Sequence, residues 1–233
     1  MKELATIDTA EIKISKVEAF VEIKPENGTD FQESRDYLKQ EFSGKNVEMN
    51  KREFGGRYTS FDDRLRYVPK KGENGYFEGK RGDSKFVPLD ATERGKACKE
   101  KLAEYGTDGI QYHNGEADFS NVSESTVRIE NMTENRADYW EDGEWKPGNF
   151  SQADVKAAEQ WNAQGRDGRT DWTAKDVYSF RKNPEKKLTW HECCDTKTMQ
   201  LVPYEVHSYC GHSGGVAECK VRDAKNNGGE FDE

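Results

Sequence analysis

The chain has 233 residues and a formal net charge of −9, and the acidic balance gives no support to a basic nucleic-acid or membrane-surface binder. Only 33% of the residues are hydrophobic and 35% are charged, but the 11% that are aromatic favour a folded protein with a small core over a disordered one. No apolar run approaches the roughly 20 residues that span a bilayer, and residues 1–8 lack the apolar stretch of a signal peptide, so we expect neither a transmembrane segment nor a signal peptide.

The first region, residues 1–72, predicts mixed α/β structure of unknown role. Apolar and polar side chains alternate with period two over residues 12–23, which is typical of strands, and residues 29–42 carry an apolar stripe of helical spacing. A polar stretch with two glycines, residues 70–75, is the best linker candidate. We therefore expect a domain boundary after residue 72 and a second domain over residues 73–233.

The second region predicts helices interleaved with short strands. Thr92–Tyr105 has the pattern of a helix that ends at a C-terminal glycine. Residues 109–112 and 125–129 read as strands, and two later helices begin at the capping residues Ser151 and Thr173. The five cysteines are an odd number without a regular spacing, so reduced thiols are expected rather than a disulfide framework.

The last part of this region predicts a hairpin followed by a helix. Residues 188–194 are β-branched, aromatic and apolar enough to form a strand, residues 195–197 turn the chain, and residues 198–202 form a second strand that ends at a proline. Residues 204–210 then read as one or two helical turns. The expected order is strand, turn, strand and helix.

Three of the four histidines fall in this unit, and histidine is the commonest metal ligand and the usual base near neutral pH. His191 lies on the first strand and His207 on the helix. Two residues five apart cannot share a face of an ideal helix, but His212 can turn back toward His207 if the helix ends at Gly211. The three imidazoles would then converge on one divalent ion.

These residues resemble the HNH/endonuclease VII superfamily. The elements that match in order are the Trp190-His191-Glu192 strand, the Met199–Pro203 strand, and two histidines followed by Ser213-Gly214-Gly215. The resemblance is strongest to the branch with a Trp-His-His signature, found as toxin domains of bacterial polymorphic toxins, and the metal site is similar to that of the DNase colicins. It implies an α+β fold, with a ββα-metal (HNH, His-Me finger) module at residues 188–215 on a loop-rich mixed α/β body.

The resemblance also implies roles for the site residues. His191, His207 and His212 correspond to ligands of one divalent ion, which could be Mg, Mn, Ni or Zn. Glu192 stands where the family usually has a second histidine, the general base, and an unperturbed glutamate with a pKa near about 4.3 is a weaker base at neutral pH. Two assignments stay open: either Glu192 is the base, with its pKa raised by burial, or His191 is the base and Glu192 or a nearby carboxylate helps to hold the metal.

Four further residues are candidates for substrate binding. Gly214 and Gly215 would let backbone N–H groups approach a phosphate without a Cβ in the way. Lys197, on the hairpin turn, is a candidate for contact with the nucleic-acid backbone. Arg81, in a glycine-rich loop, is a candidate phosphate ligand, although a solvated turn is the simpler interpretation of that loop.

We therefore expect a metal-dependent endonuclease that hydrolyses phosphodiester bonds of DNA, acts as an interbacterial toxin domain and is neutralised by a cognate immunity protein. A ribonuclease on the same scaffold remains an alternative. A non-catalytic zinc-stabilised binding module is another, and a fourth ligand such as Cys193, Cys194 or Cys210 would favour it. We expect no membrane partner, and a soluble protein that is cytoplasmic or delivered into a target cell by a specialised secretion route.

Overall fold

The computed structural model describes residues 54–72 and 74–227, which belong to one compact unit that spans residues 52–233. The strand and helix predicted before residue 43 lie outside the described residues, and the division after residue 72 stays a prediction. None of the helices in the described part of the chain is long and apolar enough to cross a membrane.

Antiparallel sheets and separate helices give the described residues an α+β architecture. The strands form a four-stranded sheet in the order β1-β2-β3-β4, a three-stranded sheet in the order β5-β9-β8, and a β6-β7 hairpin. The strands are β1 (Gly75–Phe77), β2 (Lys85–Pro88), β3 (Ile110–His113), β4 (Glu116–Asp118), β5 (Ser125–Arg128), β6 (Tyr139–Glu141), β7 (Glu144–Lys146), β8 (Leu188–Glu192) and β9 (Thr198–Pro203). The α-helices are α1 (Phe61–Leu65), α2 (Glu93–Glu104), α3 (Asn149–Gln164), α4 (Ala174–Lys182), α5 (Tyr204–Tyr209) and α6 (Gly215–Asn227).

Local chemistry accounts for several element boundaries. The Thr92 hydroxyl accepts a hydrogen bond from the Gly95 amide and starts α2, and Gly106, with φ of +70°, follows its end, as the sequence predicts. Thr173 forms a reciprocal capping box with Asp176 at the start of α4. The helix predicted from Ser151 begins two residues earlier, at Asn149.

The three-stranded sheet separates two apolar cores. One core packs α3 and α4 against the face of the sheet that carries Trp190, Met199 and Leu201. The other packs the four-stranded sheet, α2 and α5 against the opposite face, which carries Val202. All six residues of β9 are buried as a result. Side chains alternate between the faces of a strand, so successive residues of β8 enter different surroundings.

A buried ionic group fixes β8 against the helices. The carboxylate of Asp154 on α3 accepts hydrogen bonds from Arg181 of α4, with N–O distances of 2.9 Å from both Nε and Nη2. It also accepts one from the indole Nε1 of Trp190, at 2.8 Å. All three side chains are almost fully buried, so this group connects α3, α4 and the strand that carries His191.

Candidate metal centre

Three elements bring His191, His207 and His212 together. His191 lies on β8, His207 on α5, and His212 in the loop between α5 and α6. The centroids of the rings are 4.7–5.4 Å apart. One potential ligand atom from each histidine lies within 4.8 Å of the other two. The convergence that the sequence predicts from a hairpin, a helix and a helix-ending glycine is therefore present in the fold.

The ring of Phe119 closes one side of this histidine cluster. Phe119 is fully buried directly after β4, and its centroid lies 4.8 Å from that of His191, 5.6 Å from His207 and 5.2 Å from His212. An apolar ring against all three imidazoles excludes water from that side of the cluster and restricts their rotation. No feature of the sequence distinguished Phe119 from other core aromatics.

The histidine cluster favours neutral imidazoles, the form that binds a metal ion. Nδ1 of His212 lies 2.7 Å from the carbonyl oxygen of Cys210. A carbonyl can only accept, so Nδ1 carries the proton and Nε2 carries the lone pair. Burial lowers the pKa of His212, and burial together with the neighbouring His212 lowers the pKa of His207 to about 2. A set of three imidazole nitrogen donors fits a divalent ion that keeps open coordination positions.

Glu192 follows His191 along β8 but faces the opposite side of the sheet. Its side chain is 3% exposed, and both carboxylate oxygens lie 3.3 Å from Nε of Arg136. Nδ2 of Asn149 donates to the same carboxylate at 3.3 Å. Burial raises the pKa of Glu192, and Arg136 and Asn149 oppose that rise. Among the described residues, the groups with metal-ligand geometry do not include Glu192.

Arg136 is a site residue that the sequence did not single out. Its side chain is 60% exposed, in contrast to the buried carboxylate that it contacts. Its positive charge also contributes to lowering the pKa values of His207 and His212. An exposed guanidinium that is paired with a buried carboxylate is a ready contact for a phosphate oxygen. No motif or periodicity surrounds Arg136, so only tertiary packing identifies it.

The two predicted glycines lie against the end of β8. A Cβ built on Gly214 would stand 2.5 Å from the carbonyl oxygen of Glu192 and 3.5 Å from Cε1 of His191. A Cβ on Gly215 would stand 2.6 Å from the carbonyl oxygen of Cys193. The loop that carries His212 can therefore approach β8 only because both positions lack side chains.

The other two predicted substrate contacts are an exposed lysine on the hairpin turn and an arginine held by backbone carbonyl groups. Lys197 is exposed on the hairpin turn. It precedes Gln200 by three residues, and Gln200 pairs with His191 across the strands, so the backbones of Lys197 and His191 are about 10 Å apart. Arg81 donates hydrogen bonds to the carbonyl oxygens of Leu65, Val68 and Pro69. These hydrogen bonds show that Arg81 stabilises the chain segment at the end of α1 and directly after it.

The cysteines do not complete the set of three histidines. All five cysteines are within the described residues, are buried and form no disulfide, as the sequence predicts. Cys194 Sγ lies 3.2 Å from the carbonyl oxygen of Ser213. Cys193 belongs to a different group, with Glu116 and His191. In the part of the chain that the structure describes, the group formed by all three histidines thus contains no thiol.

A known family model matches a segment that contains most of this centre. Residues 109–214 match the family model of the DNase/tRNase domain of colicin-like bacteriocins. The matched segment runs from the start of β3 to the glycine after the third histidine and includes Phe119, Arg136 and Glu192. Comparisons with curated proteins and with solved structures gave no match. The family match supports a nuclease toxin domain in this part of the chain.

Proposed function

We propose that this protein is a metal-dependent endonuclease of the HNH type that hydrolyses phosphodiester bonds of DNA. The observation that carries the proposal is the convergence of three imidazoles from β8, α5 and the following loop. The order β8-β9-α5 is that of a ββα-metal module, and the Glu192–Arg136 pair flanks it. The similarity of residues 109–214 to the colicin-like nuclease family supports the same activity.

Each part of the centre has a task in phosphodiester hydrolysis. A divalent ion on His191, His207 and His212 would neutralise charge on the phosphate and stabilise the leaving oxygen. The exposed guanidinium of Arg136 binds a non-bridging phosphate oxygen by a charge-assisted hydrogen bond. Glu192 accepts the proton of the attacking water.

We assign the general base to Glu192 rather than to His191. The ring of His191 is turned into the histidine cluster, where it is packed against Phe119 and the other two imidazoles. Glu192 lies outside the possible ligand set, and burial raises its pKa above that of an exposed glutamate. A raised pKa makes the carboxylate a stronger base, and the contact with the Arg136 guanidinium favours its ionised form.

The donor set favours Zn or Ni over Mg or Mn as the bound ion. Imidazole nitrogens suit Zn and Ni, whereas Mg and Mn prefer carboxylate, carbonyl and water oxygens. Among the described residues, no thiol belongs to the group that the three histidines form together, which supports a catalytic ion with open positions over a closed structural zinc. A non-catalytic zinc module is therefore the second candidate, and a ribonuclease on the same scaffold is the third.

A cleavage assay with purified protein tests the proposal. Supercoiled plasmid and transfer RNA are incubated separately with Zn, Ni, Mg or Mn, and with chelator. We expect plasmid nicking that requires metal, and we expect His191→Ala and His207→Ala to abolish it without loss of the circular-dichroism spectrum. His113→Ala is the matched control, because His113 stacks on Phe54 with centroids 4.5 Å apart and is outside the histidine cluster.

Each alternative has its own outcome in that assay. Cleavage of transfer RNA without plasmid nicking would identify the ribonuclease. Stoichiometric zinc binding without cleavage of either substrate would identify the binding module. Full plasmid cleavage by His191→Ala would contradict the metal-site assignment.

We further propose that the protein is an interbacterial toxin whose producing cell makes a neutralising immunity protein. Expression of the wild-type chain alone in a bacterium should arrest growth, and His207→Ala should relieve the arrest at equal protein levels. Co-expression of the gene that lies beside this one in its genome should restore growth and yield a complex on purification. Normal growth with the active wild-type protein would oppose the toxin role and leave the nuclease activity standing.

A further inference from the structure

A second group of side chains surrounds His191 on the side of the four-stranded sheet. Glu116 begins β4 and is fully buried. One carboxylate oxygen of Glu116, one ring nitrogen of His191 and the Sγ of Cys193 all lie within 4.8 Å of one another. His191 therefore belongs both to this group and to the histidine cluster. An imidazole has two nitrogens, so one can bind an ion while the other donates its proton to a carboxylate.

Two backbone amides hold the Glu116 carboxylate in place. Oε1 accepts a hydrogen bond from the amide of Cys194 at 3.0 Å, and Oε2 accepts one from the amide of Gly55 at 2.8 Å. Each carboxylate oxygen can accept more than one hydrogen bond, so this arrangement leaves capacity for a third donor. The orientation of the carboxylate is thus fixed from the end of β8 and from the segment that precedes α1.

His212 shows the same arrangement with a different acceptor. Its Nδ1–H is held by the carbonyl oxygen of Cys210, which leaves Nε2 as the nitrogen that carries the lone pair. Metal-binding histidines generally donate their outer N–H to a carboxylate or a carbonyl, which fixes the tautomer and raises the basicity of the ligand nitrogen. A buried carboxylate beside His191 meets that requirement.

We propose that Glu116 is a positioning residue that accepts the outer N–H of His191 and orients this imidazole for metal binding. The proposal rests on the proposed function only in taking His191 as a metal ligand. Glu116 does not touch the substrate or the ion, and its effect is exerted through His191. A second ion bound by Glu116, Cys193 and His191 is the competing interpretation, and stoichiometry separates the two.

The test is the affinity of the full chain for Zn and Ni, measured by calorimetry and by competition with a chelator. We expect Glu116→Gln to bind one ion per chain with an affinity 10–100-fold below that of the wild type, the usual effect of losing such a partner. Glu116→Asp keeps the charge on a shorter side chain and should recover part of the affinity. Wild-type affinity in a folded Glu116→Gln variant, or two ions per wild-type chain, would overturn the proposal.

Glu218→Gln is the matched control. Glu218 is also a fully buried carboxylate that holds the segment before α1, through the amides of Tyr58 at 2.7 Å and Thr59 at 3.1 Å. It has no place in either group of possible metal ligands among the described residues. Its loss should lower stability and leave metal affinity within about twofold of the wild type. An equal loss of affinity in Glu218→Gln would show a general structural effect and count against a specific role of Glu116.

A spectroscopic measurement on the wild type does not depend on whether a variant folds. Long-range proton–nitrogen NMR spectra of the Zn-loaded protein identify which nitrogen of His191 is protonated. We expect a single tautomer whose N–H proton exchanges slowly with solvent, because it is donated to a buried carboxylate. A rapidly exchanging N–H on His191 would contradict the proposal even though the metal site itself is intact. If the wild type binds no ion, the proposed function fails instead.

Discussion

At the level of single residues, one peptide step along β8 changes the chemistry of a side chain completely. His191 faces two other imidazoles and the ring of Phe119, whereas Glu192 faces a guanidinium and an amide. The cause is the alternation of side chains along a strand whose two faces are both covered. The proposed ligand His191 and the proposed base Glu192 can therefore be neighbours in sequence and still have separate electrostatic surroundings.

This separation predicts that Glu192→Gln removes catalysis and spares the metal. Glutamine keeps the size of the side chain and its contact with Arg136 but cannot accept the proton of water. We expect the rate of single-turnover plasmid cleavage to fall by about 10²–10⁴-fold, the usual contribution of a general base. Zn or Ni affinity should be unchanged. Glu205→Gln is the control, because Glu205 lies on α5 near His207 but pairs with Lys187. A wild-type cleavage rate in Glu192→Gln would mean that another group is the general base.

At the level of elements, the position of β8 depends on the buried group formed by Asp154, Arg181 and Trp190. Asp154 accepts hydrogen bonds from both of the others, so removing it leaves a buried guanidinium and a buried indole N–H without their acceptor. Breaking one side of a buried ion pair is far more destabilising than breaking an exposed one, because the remaining charge is not hydrated.

We accordingly predict that Asp154→Ala lowers the free energy of unfolding by about 3–5 kcal/mol. Urea denaturation followed by fluorescence measures the change. The control is Glu159→Ala, which removes the exposed Lys156–Glu159 pair on the same helix and should cost less than about 1 kcal/mol. Similar losses in the two variants would mean that the buried group does not secure β8.

At the level of the whole molecule, the histidine cluster makes the stability of the metal-free protein depend on pH. The folded-state pKa values of His207 and His212 lie below the value of about 6.5 in an unfolded chain. The unfolded state therefore binds more protons as the pH falls below about 6.5, and stability decreases. Glu192 acts in the opposite direction, because its raised pKa lets the folded state take up a proton first.

The effect of two histidines on stability outweighs the opposite effect of one carboxylate. We therefore predict that the free energy of unfolding of the metal-free protein, measured with chelator present, falls from pH 7 to pH 5. His207→Gln should make that dependence shallower, because the variant no longer buries this neutral imidazole. Saturating Zn should make it steeper, since protons compete with the ion for the histidines. Urea titrations at three pH values measure the pH dependence of the free energy of unfolding for the wild type, for His207→Gln and for the Zn-saturated protein. An unchanged pH dependence in His207→Gln would show that the histidine cluster is not its cause.

Several features of the molecule follow from the sequence alone. The β8-β9-α5 order is predictable from local signals. Asp195 marks the turn after the first apolar strand pattern, Pro203 ends the second one, and Gly211 follows the helix. The helix starts at Thr92 and Thr173 are predictable for the same reason. The three histidines needed only this local order to converge, so the predicted ligand set could be located without a structure.

The rest of the centre was decided by tertiary packing. Arg136 lies 56 residues before Glu192 and Asn149 lies 43 residues before it, while Glu116 lies 78 residues before Cys194, whose amide it holds. No periodicity links positions so far apart, because such contacts arise only when the helices and sheets pack against the two faces of β8 and β9. The sequence thus determined which three histidines come together. Packing alone decided which cation faces Glu192, which ring closes the histidine cluster and which carboxylate lies near His191.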